Sequence, residues 1–124
     1  MKATYKKHIL QFKQASGTSR GILHEKETWF IILEQNGKKG IGECGLLRGL
    51  SIDDKPDYEE KLRWTCDNIH LGENALWEAL IEFPSIQFGV EMAFQSLSSE
   101  KPFLLFPSDF TNGEKSIEIN GLVW

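Results

Sequence analysis

Asn36-Gly37 does more than any other pair of residues to limit what this chain can fold into. A two-residue type I′ turn needs positive φ at both central positions, which asparagine and glycine tolerate, and its twist matches that of paired strands. Before the pair lies a run over residues 21–34 containing Thr28-Trp29-Phe30-Ile31-Ile32-Leu33, and after it residues 39–44 read as the returning strand. An antiparallel hairpin follows. Because residues 28–33 are apolar on both faces, their strand should lie centrally in its sheet. The other neighbour is residues 5–12, where His8, Leu10 and Phe12 would share one face and Tyr5 and Ile9 the other. Between them Ser16-Gly17-Thr18-Ser19-Arg20-Gly21 is small, polar and rich in glycine, which is loop chemistry.

From Asp53 the period changes. Asp53-Asp54 suits a helix cap and Pro56 its first turn, after which Tyr58, Leu62, Cys66 and Ile69 recur at helical spacing until Gly72. Asn74 is placed to cap a short helix with Leu76, Leu80 and Phe83 on one side. Pro84-Ser85 opens another, with Ile86, Val90, Phe94 and Leu97 as an apolar stripe for core packing. After a turn over residues 111–114, residues 116–124 read as a strand without a partner, ending on Trp124.

A chain of 124 residues suffices for one core of ordinary size. With 40% apolar and 26% charged residues it reads as globular rather than disordered. Fourteen basic against eighteen acidic side chains give a net charge of −4, so no nucleic-acid partner is expected. No apolar run is long enough to span a membrane, and the first residues lack the apolar core of a secretory signal, so a cytoplasmic location is expected. Cys44 and Cys66 make no disulfide framework, and the scattered His8, His24 and His70 give no zinc-ligand spacing.

Gly40-Ile41-Gly42-Glu43-Cys44-Gly45 matches the dinucleotide pattern G-x-G-x-x-G, but on the returning arm of a hairpin and without a helix directly after it. Phosphate binding by that pattern needs such a helix, so close approach of the backbone to another element is the better reading. Asp53-Asp54 and Glu59-Glu60 sit where caps and exposed faces would put them, and no catalytic triad can be assembled from spacing. Two loops, residues 16–21 and 45–51, are the candidate ligand sites. Each mixes glycine with one arginine, and in a three-stranded meander both can emerge at the same end of the sheet. Hydroxyls, amides and a guanidinium together suit a carboxylate or phosphate.

The order of elements, with Ser16-Gly17-Thr18-Ser19-Arg20-Gly21, Gly42-Glu43-Cys44-Gly45-Leu46-Leu47-Arg48-Gly49-Leu50-Ser51, Pro84-Ser85-Ile86-Gln87-Phe88-Gly89-Val90-Glu91-Met92-Ala93 and Ile119-Asn120-Gly121-Leu122-Val123-Trp124, resembles the amino-terminal capping domain of the enolase superfamily. Within it, the chain looks like the o-succinylbenzoate synthase family of the muconate-lactonizing branch. The resemblance implies an α+β fold, a three-stranded antiparallel sheet followed by a helical bundle, with residues 1–110 as the capping domain. Residues 111–124 would then be a linker and the first strand of a (β/α) barrel that this chain lacks. It implies a parent enzyme that dehydrates a cyclohexadiene carboxylate to o-succinylbenzoate, a step toward menaquinone. Mg²⁺ and the catalytic lysines belong to the barrel, so no catalytic residue, metal ligand or cofactor is expected in this chain. The implied substrate-binding residues are Ser16, Gly17, Thr18, Ser19, Arg20, Leu47, Arg48 and Gly49, and the implied partner is a small carboxylate substrate. Self-association through the barrel-facing surface is a further expectation. The same cap in a dipeptide epimerase or muconate cycloisomerase, or a free-standing binding module, are the alternatives. Arg20 and Arg48 are expected to stand exposed with their loops mobile; the rival reading pairs them with carboxylates such as Glu25 or Asp53.

Overall fold

A computed structural model describes residues 1–18, 21–101 and 103–121, with Thr18 described by its backbone alone. Strands β1 (Lys2–Thr18), β2 (Gly21–Gln35) and β3 (Lys38–Cys44) form one antiparallel sheet in the order β1-β2-β3, so the apolar run of β2 is central as its composition predicts. Asn36 and Gly37 take φ of 52° and 78°, both positive as a type I′ turn requires. Trp29, Ile31 and Leu33 turn to one face of β2 and are fully buried, opposite Cys44, Gly42 and Gly40 of β3.

That face is covered by helices α1 (Tyr58–Asp67), α2 (Glu73–Ala79) and α3 (Pro84–Ser98), with a 3₁₀ turn over Ile69–Leu71 between the first two. The stripe Tyr58, Leu62, Cys66 and Ile69 is buried, and so are Leu76, Leu80, Phe83, Ile86 and Val90. Glycines bring α3 onto β3 backbone to backbone. A Cβ at Gly42 would stand 2.7 Å from the Ala93 nitrogen and nearer still to the Gly89 carbonyl oxygen, while one at Gly89 would run into the Cys44 sulfur. The G-x-G of β3 is therefore a seat for a helix. Ser96 of α3 accepts the Ile41 N–H at 3.0 Å across the same seam. Cys44 and Cys66 are free and buried; burial pushes the Cys66 thiol up to about 11 and Cys44 higher.

Three expectations need correction. β1 does not end near residue 12: after a register break between Gln11 and Ser16 it pairs again, Ser16 opposite Leu23, Gly17 opposite Ile22 and Thr18 opposite Gly21. Most of the loop expected over residues 16–21 is thus strand, because the extended partner 21–25 offers backbone groups that small polar residues pair with readily. The first helix starts at Tyr58, so Asp53-Asp54 does not cap it and Pro56 lies before its first turn. Asp53 is 1% exposed and accepts the Ser85 N–H at 2.8 Å and the Ser85 hydroxyl at 2.6 Å, capping the first turn of α3 instead. Residues 116–121 form no strand: Ile117 and Ile119 are exposed, and no neighbouring strand lies beside them among the described residues. Leu122, Val123 and Trp124 lie outside the described residues.

Candidate functional site

β3 ends at Cys44, opposite Trp29, so the part of β2 before Trp29 has β1 on one side and no strand on the other. The chain leaving β3 fills that space as the loop of residues 45–51. Between the two runs a groove of about 900 Å³, within the ~300–1,000 Å³ common for small-molecule sites. Its wall on β2 is Gly21, Ile22, Leu23, Glu25, Lys26 and Glu27, and its wall on the loop is Leu46, Leu47, Arg48, Gly49 and Leu50. Ile22 and Leu50 are 67% and 54% exposed, and Leu23 is exposed too, so an apolar surface faces solvent here.

The loop wall is tied down. The amides of Leu50 and Ser51 both donate to the Leu47 carbonyl, at 3.1 and 2.9 Å, and the Ser51 hydroxyl accepts the Leu47 N–H at 2.9 Å. Gly49, at φ 73°, donates its N–H to Asp54 at 2.7 Å. Arg48 is forked between two carboxylates: Nε donates to Glu27 Oε2 at 2.9 Å and Nη1 to Asp54 Oδ1 at 2.6 Å. Its guanidinium carbon lies 5.3 Å from the centroid of the buried Trp29 ring. Glu27 is held from its other side by Lys7 at 2.5 Å. These partners set the ionisation. The Lys7 hydrogen bond, with Arg48 behind it, holds Glu27 below the usual carboxylate range. The Gly49 N–H and then Arg48 do the same for Asp54, and Arg48 is raised chiefly by Asp54.

Of the residues expected to bind substrate, Leu47, Arg48 and Gly49 line the groove, whereas Ser16 and Gly17 sit on β1, across from Leu23 and Ile22, and are not among its lining residues. Thr18 pairs with Gly21 through the backbone; Ser19 and Arg20 lie outside the described residues. Arg48 stands half exposed, but it is paired within the chain, as the rival reading has it, with Glu27 and Asp54 rather than Glu25 or Asp53. Sequence reading missed Ile22, Leu23, Glu25, Lys26 and Glu27. The signal was there: β3 is shorter than β2, so whatever follows β3 has to run beside the residues preceding Trp29.

Among the described residues no group of three His, Cys, Asp or Glu side chains is placed to hold a metal, and no helix is long and apolar enough to cross a membrane. The site offers apolar walls with a few charges at their edge, a surface suited to one side of a small organic ligand.

A family model described as MenC, N-terminal domain, matches residues 7–97. An o-succinylbenzoate synthase of Desulfotalea psychrophila (strain LSv54 / DSM 12343) is 32% identical over 155 aligned positions that cover 100% of this chain and 42% of that protein. The crystal structure of MenC from Desulfotalea psychrophila LSv54 superimposes with a TM-score of 0.77 at 26% identity, over 100% of this chain and 42% of that one. An o-succinylbenzoate synthase from Thermosynechococcus elongatus BP-1, complexed with Mg in its active site, shares the fold with a TM-score of 0.64 at 19% identity, over 81% of this chain and 31% of that one. The chain therefore spans less than half the length of these relatives.

Proposed function

The chain belongs to the family of MenC N-terminal domains, and from that premise we propose that it is the capping domain of an o-succinylbenzoate synthase that dehydrates a cyclohexadiene carboxylate. In this reading residues 1–110 are the cap and residues 111–124 lead into a (β/α) barrel, which holds Mg²⁺ and moves the protons. The described residues of this chain do not themselves fit a Mg²⁺ ion, since no three ligands converge. The whole enzyme works in the cytoplasm, on a step toward menaquinone.

The observation that supports the reading best is the groove between β2 and the loop of residues 45–51. It puts two chain segments at one end of the sheet, where a cap would face a substrate held by another domain. Ser16, Gly17, Thr18, Ser19 and Arg20, with Leu47, Arg48 and Gly49 on the loop, make up the cap's share of the substrate site. On its own the 124-residue chain should pair with a second copy, since Phe103 and Phe106 are 84% and 67% exposed and Ile117 and Ile119 are exposed as well.

Dehydratase assays with Mg²⁺ on the 124-residue chain and on the full-length protein test the reading. Turnover by the full-length protein and none by the chain is the expected result. Turnover by the chain alone, or none by the full-length protein, overturns it.

A further inference from the structure

Among the described residues, Arg48 carries the cationic group that bridges both walls of the groove. Its Nε reaches Glu27 on β2, its Nη1 reaches Asp54 beyond the loop, and its guanidinium lies over the buried Trp29 ring. Both carboxylates have a second holder, Lys7 for Glu27 and the Gly49 N–H for Asp54. A forked guanidinium between two pre-oriented carboxylates is a geometry that lysine cannot reproduce. The charges also balance: Lys7 and Arg48 against Glu27 and Asp54 leave the cluster neutral. A substrate carboxylate arriving here would have to displace one already bound.

We propose that Arg48 is a positioning residue: clasped by Glu27 and Asp54, it holds residues 46–50 at a set distance from β2, fixes the width of the groove, and leaves the ligand to Leu47 and Leu50. This rests on the reading of the groove as the cap's share of a substrate site. It differs from direct recognition of a substrate carboxylate by Arg48 in the sign of one experiment. In Glu27→Gln or Asp54→Asn a substrate-binding arginine is released from a competing anion and binds substrate better. A clasp arginine loses its anchor, and the wall it holds moves.

The test has two arms. In the 124-residue chain, amide hydrogen exchange at Gly49, Leu50 and Ser51 should quicken by about tenfold in Arg48→Ala and less in Arg48→Lys, while amides of the β2–β3 ladder keep their rates. In the full-length protein, Arg48→Ala, Glu27→Gln and Asp54→Asn should each raise KM several-fold with kcat within about twofold, the pattern of lost ground-state positioning. Unchanged exchange at residues 49–51 overturns the clasp. So does a lower KM in Glu27→Gln or Asp54→Asn, or a fall in kcat with KM intact in Arg48→Ala, since either puts the guanidinium on the substrate. A full-length protein without synthase activity overturns the function proposed above, and the exchange arm still decides the clasp.

Discussion

The seam between β3 and α3 and the ribbon where β1 meets the start of β2 both contain glycines, yet they are held together in opposite ways. At the seam, Gly40, Gly42 and Gly89 let main chain approach main chain, and Trp29, Ile31 and Leu33 are fully buried beside it. At the ribbon, no atom comes within 4 Å of a Cβ built on Gly17, and the side chains of residues 21–25 face solvent. Packing fixes the first region, so an added methyl has nowhere to go. Register and surface ion pairs fix the second, so side chains there are free to change with the ligand while the fold stays put.

The largest effect should come from Gly42→Ala. Its Cβ would meet the Gly89 carbonyl and stand 2.7 Å from the Ala93 nitrogen, both main-chain atoms that cannot swing away. Overpacking of this kind costs about 3 kcal/mol, read as a lower denaturant midpoint of the chain. A loss under ~0.5 kcal/mol, the range of surface substitutions, would mean that α3 rides loosely on the sheet and that the contrast between the two regions is false.

Asp53→Ala comes next. It removes the carboxylate that accepts from both the N–H and the hydroxyl of Ser85, with Tyr58 Oη a further 2.6 Å from that hydroxyl. Losing a buried cap should cost ~2 kcal/mol. Burial pushes the Tyr58 hydroxyl well above its ordinary value, so it stays protonated and does not compensate at alkaline pH. Equal stability of Asp53→Ala and wild type in urea would show α3 to be seated by its apolar stripe alone.

How far the sequence disclosed each region follows from the range of its interactions. The Asn36-Gly37 turn, the central place of β2 and the stripe of α3 depend on neighbours within a few residues, and pattern shows such things. Gly40 and Gly42 could be read as close approach because few other causes place two glycines on one face of a strand. Asp53 misled because a cap is recognised by its residue type, and type does not tell that the capped amide lies 32 positions on, at Ser85. Arg48 misled for the same reason: nearby acids are many, and only the register of β2 puts Glu27 rather than Glu25 at its Nε. The continuation of β1 past its register break was hidden because small polar residues spell loop unless a partner strand lies beside them.

Acid should loosen the ribbon side before the seam. Glu27 and Asp54 have folded-state values lowered from 4.5 and 3.8, so the stability they contribute is present above those values and is lost as pH falls through the lowered ones. Amides of residues 49–51 should therefore lose protection below about pH 4, while the β2–β3 ladder, with no such pair across its buried face, holds. Simultaneous loss of both in an exchange profile would erase the distinction between a packed half and a clasped half.

The smallest effect sharpens the comparison most, because it makes the same substitution as at Gly42. Gly17 pairs with Ile22 in the ribbon, has room for a Cβ on every side, and shows no positive φ. Alanine there removes conformational freedom from the unfolded chain without strain in the folded one, which stabilises by ~0.5 kcal/mol. Gly17→Ala should thus raise the unfolding midpoint slightly where Gly42→Ala lowers it strongly. A loss at Gly17 would require a neighbour that crowds the ribbon, and in the 124-residue chain the candidate is a second copy, which light scattering of the variant against wild type would detect as dissociation.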